Sequence, residues 1–212
     1  MTIIYSTTPQ RTPEWHLERL GKITGSVAGD VMNFTAKGEP DAGRKNLIVK
    51  LAVERITGAS VETYQNAAMR RGTELEPFAL AAYEANTGNL VETVGVCFNS
   101  KYPHIVMSSD GLIDSNGMIE IKAPDSQHKH LSALTSGSHA QEYKWQIQFQ
   151  LWCAEREYND AVSYDTRFPS HLQLAIVRVY RDDSSIAKLE AECLKVEAEI
   201  LAVIEQLQRI AA

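Results

Sequence analysis

The chain has 212 residues, 44% of them hydrophobic, and a formal net charge of −6. That length suits one large domain or two small ones, and one domain over residues 1–212 is expected because no Pro/Gly/Ser-rich linker interrupts it. No apolar run approaches the roughly 20 residues that span a bilayer, so no membrane association is expected.

The start, Met1 to Tyr5, lacks the basic and apolar segments of a secretory signal. Cys97, Cys153 and Cys193 are widely spaced and odd in number, which suggests reduced core thiols in a cytoplasmic protein rather than a disulfide framework or a zinc knuckle. The negative charge alone argues mildly against a nucleic-acid partner. It is uneven, however: residues 1–60 carry eight Lys/Arg against six Asp/Glu, and residues 61–165 carry seven against fourteen. An acidic middle suits metal-binding carboxylates, and bound cations would change the local potential.

Residues 1–12 are irregular. Pro13 suits the first turn of a short helix, Glu14 to Leu20, stopped by Gly21. A second helix is expected from Val27 to about Phe34, capped by Thr24 or Ser26. Its free N–H groups, beside Arg19 and Ser26, make either a phosphate seat or an ordinary capped helix with a surface arginine. After a loop over 35–43, Arg44 to Thr57 reads as an amphipathic helix with Leu47, Leu51 and Ile56 among its apolar positions, and Gly58 stops it. A longer helix follows, about Asn66 to Asn86. Pro77 inside it removes one hydrogen bond and crowds the Thr73 carbonyl, so a kink or restart is expected. Glu74 and Glu76 lie there, either on a solvated charged face or with Glu76 turned inward.

Leu90 to Phe98 reads as a strand, followed by strands over Ile105 to Asp114 and Met118 to Ala123. Residues 126–134 form one or two helical turns. His128 and His130 are spaced as a metal pair but lie beside no acid cluster, so a surface role is expected. His139 to Glu157 is a helix in which Tyr143, Ile147, Leu151 and Ala154 share one stripe, and Tyr143, Gln146 and Gln150 a neighbouring one. Trp145 and Trp152 share a face as core residues. Two more strands cover Ala161 to Tyr164 and Leu172 to Tyr180. The last helix, Asp183 to Ala211, is capped by Asp183 or Ser184. Its Ile186, Leu189, Cys193, Val196, Ile200, Val203, Leu207 and Ile210 alternate spacings of three and four. That seam packs on the chain's own sheet or against another subunit. The order suggests an α/β or α+β fold, a central mixed β-sheet flanked by helices.

The hairpin from Ser108 to Lys122 carries the chemistry. A two-residue turn at Asn116-Gly117 would put Asp110 and Glu120 on opposite faces. A three-residue loop, Ser115 to Gly117, pairs Leu112 with Glu120 and Asp110 with Lys122, and puts Asp110, Glu120 and Lys122 on one face. That loop is expected, with Gly117 in its left-handed position and Ile119 and Ile121 on the core side. Two carboxylates there suit Mg²⁺, which keeps several waters and polarises a phosphoryl oxygen. Lys122 beside it would position or deprotonate a water. The alternative is a surface hairpin with a charged cross-strand pair.

Several stretches, taken in order, resemble the phage lambda exonuclease and viral recombinase (YqaJ-like) nuclease family. Trp15-His-Leu-Glu-Arg19-Leu-Gly-Lys-Ile-Thr-Gly-Ser26 is similar to its W-x3-R-x-G-x-I-T-x-S opening. Arg71-Gly-Thr-Glu-Leu-Glu76-Pro resembles its G-x3-E helix. Ser108-Ser-Asp110-Gly-Leu and Glu120-Ile-Lys122-Ala-Pro resemble its S-P-D-G-L and E-x-K-x-P elements. Tyr143-Lys-Trp-Gln146-Ile-Gln-Phe-Gln-Leu-Trp152 resembles its Y-x2-Q-x-Q-x3-W helix. Ser109 stands where the family usually has proline.

The resemblance implies a restriction-endonuclease-like core and a Mg²⁺-dependent, two-metal exonuclease, with Mn²⁺ as a substitute. Such an enzyme digests one strand of double-stranded DNA from its 5′ end and leaves 3′ overhangs for phage-type recombination. By position, Glu76, Asp110, Glu120 and the Ile121 carbonyl would hold the metals. Lys122 and Gln146 would handle the water, and Arg19, Ser26 and Ser108 would seat the 5′ phosphate. A homotrimeric ring around DNA, a single-strand annealing partner, and the cytoplasm of a bacterial or phage-infected cell are also implied.

Overall fold

Two segments of the chain leave one sheet for another, and the functional groups gather where they cross. In the computed structural model, residues 2–61 and 67–210 are described. The expected helix start at Asn66 and the end at Ala211 lie outside them. The architecture is mixed α/β, with its strands divided between two mixed sheets. The first has β1 (Ile3–Tyr5), β4 (Cys97–Asn99), β5 (Ile105–Met107) and β2 (Ile23–Thr24), in that spatial order. The second has β3 (Val91–Glu92), β6 (Gly111–Ile113), β7 (Gly117–Lys122), β8 (Tyr158–Tyr164) and β9 (Leu174–Tyr180).

The strand expected over Leu90 to Phe98 is therefore two strands in different sheets, and so is the one over Ile105 to Asp114. Alternation of side chains cannot report such a switch, because both halves remain extended. Gly95 marks the first crossing. Its N–H donates to the Ser6 carbonyl, and a Cβ there would stand 2.5 Å from the Thr8 carbonyl oxygen. The second crossing, Ser108 to Asp110, has no ladder partner in either sheet.

The helices are α1 (Pro13–Arg19), α2 (Ala28–Val31), α3 (Ala42–Thr57), α4 (Ala67–Thr87), α5 (Gln127–Ser136), α6 (Ser138–Glu142), α7 (Lys144–Ala154) and α8 (Asp183–Ile210). α2 is only four residues after a 3-10 turn at Gly25–Val27, and no side chain caps either. The expected helix from Val27 to about Phe34 and its cap by Thr24 or Ser26 are thus corrected, and one turn carries little aligned dipole. α4 runs unbroken through Pro77, so the expected restart does not occur. The expected helix from His139 to Glu157 is broken at Tyr143 (φ −101°, ψ 17°) and ends at Ala154. α8 is capped by Asp182, whose Oδ1 accepts from the Ser184 and Ser185 N–H groups, not by Asp183 or Ser184.

One core joins the first sheet, α2, α3, α7, α8 and one face of the second sheet (Leu112, Met118, Ala161). The other packs α4, through Ala79 and Tyr83, on the opposite face (Ile113, Ile119, Ile121, Val162). The heptad seam of α8 is buried from Ile186 to Ile200, mainly against helices of its own chain, while Leu207 and Ile210 are exposed. All three thiols are buried, and burial pushes Cys97 and Cys193 up to about 12, so they stay protonated.

Asp165, fully buried after β8, is held by Arg71 at 2.9 Å and Arg167 at 2.7 Å. Burial raises its carboxyl, but the two guanidinium groups outweigh it and hold the pKa well below the usual range. Its stabilisation is present above the unfolded carboxylate value, about 3.9, and is lost as pH falls through the depressed folded value. Asp165→Asn is expected to flatten the acid limb of a pH–Tm curve. Parallel curves for variant and wild type would refute this assignment.

Candidate active site

The hairpin β6–β7 places the first groups. Its pairing is Gly111 with Ile119, Leu112 with Met118, and Ile113 with Gly117. The loop does have three residues, but they are Asp114 to Asn116, and the register is shifted by two from the expected one. Asp110 therefore stands opposite Glu120 rather than Lys122. A shift of two preserves the alternation of faces, so Asp110, Glu120 and Lys122 still share one, and Ile119 and Ile121 point into the other core.

Two contacts explain the register. The left-handed residue is Asp114 (φ 46°), not Gly117; a short polar side chain tolerates that conformation. Gly117 instead makes room for a ring, since a Cβ there would be 2.2 Å from Tyr158 Cζ. Arg156 then gathers the loop, its Nη1 donating to the carbonyls of Asp114 at 3.0 Å and Gly117 at 2.7 Å.

Glu76, Asp110, Glu120, Ile121 and Lys122 all line one cavity of about 750 Å³, with Arg11, Trp15 and Tyr143 at its walls. Ile121 reaches it through its backbone, because its side chain packs on the other face. Asp110 Oδ2 accepts from the Ile121 N–H at 2.6 Å. Burial and the charges of Glu120 and Glu76 push the Asp110 carboxyl well above the usual range, against Lys122 and that N–H. Glu120 is 4% exposed and takes Lys122 Nζ at 2.6 Å and Gln146 Nε2 at 2.5 Å on Oε1. Gln146 Oε1 accepts from Lys122 Nζ at 3.2 Å. Burial opposes the Lys122 charge, but Glu120 and Asp110 outweigh it and hold the pKa above the ordinary lysine value. The ammonium also lies 4.6 Å from the Tyr143 ring centroid.

Glu76, on α4, is turned toward the cavity and ion-paired with Arg11. Arg11 went unnoticed in the sequence. Its backbone is left-handed at φ 69°, a conformation costing about 1–3 kcal/mol in a non-glycine residue.

Ser108, at the second sheet crossing, accepts on Oγ from Arg19 Nη1 at 2.9 Å and Trp15 Nε1 at 3.1 Å. The Arg19 guanidinium stacks 4.2 Å from the Trp15 ring centroid and forms no ion pair among the described residues. Burial lowers its pKa to about 10. Ser26 is not brought to this pair. It is exposed, and its hydroxyl is 3.1 Å from that of Thr24.

Two other residues depart from expectation. His130 is fully buried between Ser163 Oγ at 2.9 Å and the Leu172 carbonyl at 2.8 Å, so its surface role is corrected, while His128 is exposed. Gln150, on the stripe with Gln146 but outside the family motif, donates to Glu120 Oε2 at 2.5 Å. The period-3.6 stripe was the only signal for it.

Among the described residues, no three His, Cys, Asp or Glu side chains stand together as a ready metal cage. The donor set nevertheless fits a hard divalent cation. The groups are all oxygens, Glu76 and Glu120 are each matched by a side-chain cation, and burial with the neighbouring carboxylates pushes the Asp110 carboxyl above its usual range, a cost that a bound cation would relieve.

The sequence profile of the YqaJ-like viral recombinase domain matches residues 14–157. The solved structure of an alkaline exonuclease, LHK-Exo, from Laribacter hongkongensis is 40% identical. The match covers 94% of this chain and 98% of that one, with a TM-score of 0.85. The same protein in complex with dAMP superposes at a TM-score of 0.86, with the same identity and coverage. A phage-related exonuclease from Haemophilus somnus 129PT, 15% identical over 88% of this chain and 96% of that one, shares the fold at a TM-score of 0.71. No curated protein matches the chain.

Proposed function

This chain belongs to the YqaJ-like viral recombinase family, and from that membership we propose that it is a DNA exonuclease. The observation that carries the reading is the convergence of Glu76, Asp110, Glu120 and Lys122 on one cavity. The finer proposal is a Mg²⁺-dependent 5′→3′ exonuclease acting on linear double-stranded DNA. The whole chain would act as one nuclease domain, in the cytoplasm of a bacterial or phage-infected cell. Its 3′ overhangs would pass to a single-strand annealing protein, and three copies would ring the duplex. No helix among the described residues is long and apolar enough to cross a membrane.

Glu76, Asp110, Glu120 and the Ile121 carbonyl would hold one or two Mg²⁺ ions, or Mn²⁺ in their place. Bound there, such ions polarise the phosphoryl oxygen and lower the pKa of a water. The remaining work belongs to the chain. Gln146, bridging Glu120 and Lys122, fixes both polar groups at the cavity wall and orients the attacking water. Lys122 presents a charged donor to the reacting phosphate, a state its two carboxylate neighbours favour. Arg19, stacked on Trp15 and in no ion pair among the described residues, seats the terminal 5′ phosphate with Ser108. Ser26, exposed and bonded to the Thr24 hydroxyl, would join them as a further hydroxyl donor.

A time course on 5′- and 3′-labelled linear duplex, with and without Mg²⁺, tests the reading. The 5′ label should be released first, and only with Mg²⁺, while closed circular duplex stays intact. Equal cutting of circular DNA would replace the exonuclease by an endonuclease. Ends bearing 5′-phosphate should be digested faster than 5′-hydroxyl ends, and Arg19→Ala should erase that difference. An unchanged preference in that variant would remove Arg19 from the phosphate site.

A further inference from the structure

The carboxylate half of the site and the Arg19–Ser108 half are joined by one buried side chain. Gln150 is fully buried on α7. Its Nε2 donates to Glu120 Oε2 at 2.5 Å and to the Ser108 carbonyl at 3.4 Å. Both of its N–H bonds are therefore used, one on each half. Its Oε1 accepts from Asn159 Nδ2 at 2.9 Å. Asn159 is also fully buried, in the middle of the second sheet between Met118 and Val179, where ladders on both sides hold its backbone. Its own Oδ1 has no hydrogen-bond partner among the described residues, where the side-chain amide bonds Gln150 alone.

This arrangement sets the direction of the Gln150 amide. A carboxylamide has a donor end and an acceptor end. Glu120 Oε2 and the Ser108 carbonyl can only accept, so the NH₂ group must face them, and Asn159 donates to the oxygen that remains. A flip would set an oxygen against two acceptors and two donors against each other, which is costly where both side chains are fully buried. The backbone that Gln150 grips also needs gripping, because Ser108 to Asp110 crosses between sheets without ladder bonds. Gln10 holds the neighbouring Ser109 carbonyl at 2.8 Å, and Gln150 holds that of Ser108.

We propose that Gln150, its amide fixed by Asn159, is a positioning residue that keeps Glu120 in register with the Arg19–Ser108 pair. Through it, the geometry of cation binding and the recognition of the DNA end become coupled. The inference rests on the nuclease reading above, but it concerns a residue that need touch neither cation nor DNA. Outer partners that orient metal-binding carboxylates commonly carry about 10- to 100-fold of metal affinity or activity.

The test compares wild type, Gln150→Met, Asn159→Ala and the double variant. Mn²⁺ binding is measured by calorimetry without DNA, alongside the rate ratio on 5′-phosphoryl and 5′-hydroxyl ends. Thermal melts report folding. Gln150→Met should bind Mn²⁺ about tenfold more weakly and compress the end preference. Asn159→Ala should do the same to a smaller degree. The double variant should match Gln150→Met, because Asn159 acts only through Gln150. A folded Gln150→Met with wild-type Mn²⁺ affinity and wild-type end preference overturns the proposal. So do independent, multiplying effects in the double variant. If Gln150→Met does not fold, Asn159→Ala decides alone, and unchanged Mn²⁺ binding there overturns it. Wild-type protein that neither binds Mn²⁺ nor digests ends overturns the nuclease reading, and this inference with it.

Discussion

Replacing Lys122 by alanine should slow duplex digestion by about 10²- to 10⁴-fold while the protein stays folded. Among the described residues the ammonium is the one charged donor bonded to Glu120, and it also bonds the Gln146 side-chain oxygen. In the proposed reaction its removal would take a positive charge from the point where phosphoryl charge develops. The fold should survive, because Glu120 keeps two amide donors, Gln146 and Gln150. The side chain is also 27% exposed, so water can replace part of what is lost. Lys122→Arg should restore stability but not rate, since a planar fork does not occupy the place of a compact ammonium. Single-turnover digestion and a thermal melt read both quantities. A wild-type rate in Lys122→Ala would remove Lys122 from the chemistry.

The second large effect is expected at Asp110. Asp110→Asn should abolish both digestion and cation binding, yet raise the Tm of the metal-free protein. Burial, Glu120 and Glu76 push the Asp110 carboxyl above its ordinary value. The folded state therefore binds more protons than the unfolded state, and stability must fall as pH rises from the ordinary carboxylate pKa, about 3.9, through the raised folded one. An amide keeps an oxygen for the Ile121 N–H but removes this penalty. Melts in chelator should show wild type losing Tm across that window and Asp110→Asn losing less. Adding Mg²⁺ near neutral pH should then raise the wild-type Tm and leave the variant unchanged, because a ligand stabilises only what it binds. Identical pH profiles in chelator would show that Asp110 carries no such strain.

The hairpin illustrates how far the residues alone can be read. Whether Asp110, Glu120 and Lys122 share a face depends only on the parity of the register, and a three-residue loop settles parity. Which three residues form the loop depends on Arg156 and Tyr158, about forty positions away, which close on the loop carbonyls and on Gly117. His130 shows the same limit. The lack of an acid cluster beside it suggested a surface role, but its partners, the Ser163 hydroxyl on β8 and the Leu172 carbonyl just before β9, lie more than thirty residues on.

By itself, the sequence determined the local chemistry: helix and strand periods, the heptad-patterned α8, and a carboxylate–lysine set whose order along the chain identifies the family. These follow from interactions within a few residues, which pattern and spacing record. Only the tertiary structure decided that two extended runs change sheets, that Arg11 meets Glu76, that Ser26 stands apart from Arg19, and that Asn159 and Gln150 bridge the two halves of the site. Each of those depends on burial and hydrogen bonding between segments distant in sequence. An unpaired polar group is costly there, and its partner cannot be inferred from its neighbours along the chain.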